Sequence, residues 1–201
     1  MQTTRYLLQL CRAGLLGILV FNGATSFAKP PKPTAAQALS AQEKDLLKNF
    51  LKQTKDYINK EHALPADNLK PTTDIAVLDQ QRLALRQALQ QARPNAKQGD
   101  LFTPPVADLF RKILTQTLSG RTGAKVKASL NHAEPTAPAN LSVNSAYPNA
   151  SGQPIQSVPP TLLQSLPVLP KGLEYCIAGK TLALRDTDAN MVVDFLPNAL
   201  P

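Results

Sequence analysis

Residues 169–201 read LPKGLEYCIAGKTLALRDTDANMVVDFLPNALP, and this stretch decides the fold of the C-terminal part. Three short runs, Leu173–Ala178, Thr181–Asp186 and Met191–Phe195, are rich in aliphatic and aromatic residues. Gly179-Lys180 separates the first two and Thr187-Asp188-Ala189-Asn190 the last two. This spacing predicts a three-stranded antiparallel meander. A two-residue loop sets Ala178 opposite Thr181. Ile177 then faces Leu182, Tyr175 faces Leu184, and Glu174 faces Arg185. A four-residue loop sets Asp186 opposite Met191, so Leu184 faces Val193 and Leu182 faces Phe195. Side chains alternate along a strand. One face therefore collects Tyr175, Ile177, Leu182, Leu184, Val193 and Phe195, and the other Glu174, Cys176, Ala183, Arg185, Val192 and Asp194. Arg185 falls beside Glu174 and diagonally near Asp194. Three strands alone are marginally stable, so the apolar face needs a cover, and Tyr175, Leu184 and Phe195 are expected to be buried.

Upstream of the meander (171–201), residues 128–170 hold eight prolines between Pro135 and Pro170. They read as a proline-rich linker or arm. Within it, Val158–Pro167 predicts one short helical turn that docks Leu162, Leu163 and Leu166. Residues 41–127 read as a helical unit of three helices. The first spans about 41–61, with Leu46, Leu47, Phe50, Leu51, Tyr57 and Ile58 at helical spacing and a row of lysines opposite. Ser40 and Glu43 form a capping box at its start. The second spans about 74–93, striped by Ile75, Leu78, Leu85 and Leu89. The third spans about 104–119. Thr103 is its expected cap, Pro104 suits its first position and Gly120 its end. Its stripe is Val106, Leu109, Phe110, Ile113, Leu114 and Leu118. The fold class that follows is α+β.

The N-terminus has the pattern of a secretory signal over residues 1–28. Arg5 and Arg12 precede an uncharged stretch from Ala13 to Ala28, and Ser26-Phe27-Ala28 offers small residues for cleavage. That stretch falls short of the roughly 20 residues that span a bilayer. An uncleaved anchor is the alternative. Residues 29–40 form a flexible Pro/Ala-rich leader. Cleavage after Ala28 also removes Cys11, leaving Cys176 as the single cysteine and excluding an internal disulfide. A lone cysteine of this kind is a small buried hydrophobe.

The segments LEY (173–175), LRD (184–186) and AN-x-x-VDF (189–195), together with KQGDLFTPPVADLFR (97–111), carry a resemblance. They are similar to segments of a group of uncharacterised exported bacterial proteins, sharing an LP-x-x-LEY…LRD…AN-x-x-VDF tail. The resemblance implies export and a bacterial envelope location. It implies no activity. Cys176 stands where that pattern leads one to expect a larger or basic residue.

Chemistry is sparse. Two histidines and two cysteines are too few for a Cys/His zinc site. There is no glycine-rich phosphate loop, so no cofactor is expected. Asp186, Asp188 and Asn190 alternate as in the start of a calcium loop, but Met191 stands where Gly is needed and Pro197 where Glu is needed. The stretch reads as a polar turn. His62 and His132 read as solvated, and no nucleophilic triad is supported.

Charge is the unevenly distributed feature. Residues 29–127 carry 17 basic and 9 acidic residues, whereas residues 128–201 carry 3 and 5. Arg111, Lys112, Arg121, Lys125 and Lys127 fall in one stretch without an acid, which is a candidate contact with an anionic surface. A solvated face that aids solubility is the plainer reading. Nucleic acid is not expected, because export removes the chain from it and no aromatic-interleaved basic motif is present. The sequence therefore predicts a non-enzymatic exported protein, periplasmic or extracellular, that binds a protein partner or an anionic envelope component. The alternative is a hydrolase whose site is assembled from scattered acids.

Overall fold

The computed structural model describes residues 39–65, 70–132, 141–147 and 158–200, without the side chains at 121, 122, 129, 131 and 132. The chain separates into two units, Met1–Ala35 and Ala36–Pro201, and every described residue belongs to the second. The expected signal over residues 1–28 and most of the 29–40 leader lie outside the described residues. Among those described, no helix is long and apolar enough to cross a membrane.

The architecture is α+β: helices α1 (Ala41–His62), α2 (Ile75–Ala92), α3 (Pro104–Thr117), α4 (Gly120–His132) and α5 (Pro160–Leu163), then strands β1 (Leu173–Ala178), β2 (Thr181–Asp186) and β3 (Met191–Leu196). The capping box forms as the sequence predicts. Ser40 Oγ accepts from the Glu43 amide at 3.2 Å, and Glu43 Oε2 accepts from the Ser40 amide at 2.8 Å. Asp74 caps α2 by accepting from the amides of Ala76 and Val77. Thr103 occupies the cap position of α3 but makes no side-chain capping bond. Ile75, expected in the α2 stripe, is 75% exposed. It sits in the first turn, ahead of Leu85 and Leu89, which bury the helix.

A fourth helix, α4, was absent from the sequence expectation and runs five residues past 127. Two glycines disguise it. Gly120 has φ of +75°, which ends α3. Gly123 lies so close to the backbone of Leu118 that a Cβ there would come within 2.2 Å of it. The α3–α4 corner therefore needs glycines that read, in sequence, only as a helix end.

The core joins both halves. Phe50 of α1, Phe102 just ahead of α3 and Phe110 of α3 meet pairwise with ring centroids 5.0–5.6 Å apart. Phe110 also meets Tyr175 of β1 at 6.2 Å. Leu173, Tyr175, Ile177, Leu182 and Leu184 continue this core on one face of the sheet. The proline-rich arm is docked in two places. Leu162 and Leu166 are buried in the same core, whereas Leu163, expected to dock with them, is 44% exposed. Residues 141–147 cover the other sheet face, where Tyr147 packs with Cys176, Ala183 and Val192. They also close the free edge of β3, through Asn144 N to Val192 O and Val192 N to Ser145 O.

The sheet order is β1-β2-β3. The β1–β2 register is the expected one throughout, from Ala178↔Thr181 to Glu174↔Arg185. In the second hairpin Asp186↔Met191 holds, but a bulge follows, and Leu184 pairs with Asp194 and Leu182 with Leu196. This corrects the sequence reading. Phe195 turns to the outer face and is only half-buried, while Leu196 takes its place in the core. The cause is Asp194, which is 0% exposed. Its carboxylate accepts from the amides of Gly99, Leu101 and Phe102 at 2.8–2.9 Å. One extra residue in β3 lets this aspartate face the helical side rather than Arg185.

Candidate binding groove

An open groove of about 550 Å³ lies between the 158–169 segment and β1. Its walls include Pro167, Leu169, Leu173 and Tyr175, with Val168 and Leu163 at the rim. Local chemistry explains the shape. Prolines at 167 and 170 bracket Val168-Leu169 and hold the segment out of any helix. Tyr175 Oη donates to the Pro167 carbonyl at 3.1 Å, fixing the distance between segment and strand. Val168 is left 88% exposed, the most solvated large apolar side chain described.

The polar groups on the wall satisfy one another. Arg185 Nη1 donates to Glu174 Oε1 at 2.6 Å, its Nε donates to Asn190 Oδ1 at 2.9 Å, and its guanidinium lies 5.3 Å from the Tyr147 ring centre. Cys176 lies against Glu174 Oε1 at 3.5 Å. Burial, then the Glu174 charge, pushes the thiol up to about 12, so it stays protonated at neutral pH and is a poor nucleophile. The arrangement can bind an apolar group with a donor for the half-exposed Glu174. It offers no activated nucleophile.

A second polar cluster lies at the junction of α1 and the sheet. Tyr57 Oη donates to Asp186 Oδ2 at 2.6 Å, and Asp186 Oδ1 accepts from the amides of Asp188 and Ala189. The expected polar turn at 186–190 is thus an Asx turn. Among the described residues, no three His, Cys, Asp or Glu are placed to hold a metal ion. Burial, reinforced by Asp186, pushes the Tyr57 phenol far up, and burial also raises the Asp186 carboxyl above its ordinary value. Arg93 stacks 4.9 Å from the Tyr57 ring centre, beside a cleft of about 230 Å³. Glu61 and Asp186 are both fully buried.

Of the basic residues singled out in sequence, Arg111 and Lys112 are engaged by acids. Lys112 pairs with Glu43 at 2.6 Å. Arg111 pairs with Asp108 and donates to the Pro197 carbonyl. Lys125 and Lys127 are exposed on α4. The Arg121 side chain lies outside the described residues. The groove itself went unread in sequence. Its one signal is an apolar pair, Val168-Leu169, bracketed by prolines. No protein-family model matches the chain, and no curated protein and no solved structure shows significant similarity to it.

Proposed function

We propose that this is an exported, non-enzymatic binding protein of the bacterial envelope, and that the groove beside β1 receives an extended apolar segment of a protein partner. The observation that carries the reading is the rim. Val168 and Leu163 stand in solvent above an apolar floor, while the ion pair on the wall is internally compensated. Exposed apolar surface bordered by polar groups marks interaction sites. Glu174 remains exposed enough to meet a basic or N–H group next to the apolar segment. The signal-like residues 1–28 and the resemblance of the tail support export. A hydrolase is the second reading, because Tyr57, held by Asp186, lines a small cleft with Asp56, Lys60 and Arg93.

The test is capture from native envelope extract by the exported protein, alongside Val168→Glu and Leu163→Glu. A partner retained by the wild type and lost from both variants, with unchanged melting, is the expected result. Equal retention by all three would place the contact elsewhere. The recovered chain should begin at Lys29.

A further inference from the structure

The exposed side of α1 carries Lys44, Lys48, Lys52 and Lys55. Steps of four, four and three residues put them on one side of the helix, in a row about 16 Å long at 1.5 Å per residue. All four are exposed, and among the described residues none of them forms an ion pair. Two acids of the same helix are turned away from the row: Glu43 is held by Lys112, and Glu61 is buried. Asp45 and Asp56 lie on one flank, so the side stays net positive. Like charges one helical turn apart repel, and Asp45 and Asp56 offset this row only in part.

We propose that the lysine row of α1 is a contact surface for an anionic lipid bilayer. The donors stand in a line along a convex helix and do not converge, so they suit many dispersed charges better than one bound phosphate. The apolar residues of α1 are packed on its opposite side, so the contact is electrostatic and does not insert. The sequence supplies the reason for a bilayer. The uncharged stretch 13–28, read as an export signal or anchor, lies 12 residues ahead of α1 in the sequence, so the same reading that sends the chain to a membrane brings this row to one. This surface is independent of the groove.

The experiment is co-sedimentation of the exported protein with phosphatidylglycerol-containing vesicles and with pure phosphatidylcholine vesicles, at low and high salt. Binding only to the anionic vesicles, and lost at high salt, is expected. Each lysine near such a surface strengthens binding roughly fivefold. Lys→Gln at positions 44, 48, 52 and 55 together should then weaken it by at least two orders of magnitude, with melting unchanged. Lys→Arg at the same four positions should retain it, as should Val168→Glu. Three results would each overturn the proposal: no binding at low salt, undiminished binding by the Gln variant, or binding to soluble polyglutamate with none to vesicles.

Discussion

Two aspartates hold the molecule together. Asp194 accepts three amides from the 99–102 loop and a fourth from Phe195; those of Leu101 and Phe102 are buried and the other two part-buried. Asp186 joins α1 to the sheet through Tyr57. Both belong to the segments that carry the resemblance, LRD and VDF, so those segments have a structural use here. Asp186 makes a pH prediction possible. Burial raises its carboxyl, so the folded state holds the proton more tightly than the unfolded chain does. Its contribution to stability is fully present below the ordinary carboxylate value and is lost as pH rises through the raised folded value. Melting of the wild type and Asp186→Asn between about pH 3 and pH 7 should show the wild type's relative stability falling as pH rises. A difference that is flat, or that grows with pH, would contradict this.

At the scale of elements, the helical stripes and the first hairpin were legible because each is local. Period and loop length determine which side is buried, and Leu85, Leu89, Phe110 and Leu114 all follow. The bulge in β3 was not legible. Strict alternation puts Asp194 on the polar face, and the amides that draw it inward lie 92–95 residues away. α4 was hidden by glycines needed for a close corner. The groove was hidden because its two walls, the 158–169 segment and β1, meet only in the folded chain. The bulge has a measurable consequence. Leu196 is 2% exposed and faces the core, whereas Phe195 is half-buried on the outer face. Leu196→Ala should cost about 2–5 kcal/mol in denaturant unfolding, and Phe195→Ala about 1 kcal/mol. The reverse order would restore the unbulged register.

For the Ala36–Pro201 unit, the central claim is that the helices and the sheet fold as one cooperative structure, and that the groove exists only in that state. One core runs from Phe50 through Phe110 to Tyr175 and Leu184, α5 packs on α3, and the groove wall is tied to β1 through Tyr175 and Pro167. Amide hydrogen exchange tests this directly. In the wild type the slowest amides of α1, α3, β1 and β2 should open with a common free energy. Asp194→Ala leaves the buried N–H groups of Leu101 and Phe102, and the part-buried one of Gly99, without their acceptor, each buried one costing about 1–3 kcal/mol. Protection should therefore fall together in the helices and the strands, by about 3 kcal/mol or more. Strand amides that lose protection while α1 and α3 keep theirs would show two separately folded parts and contradict the account.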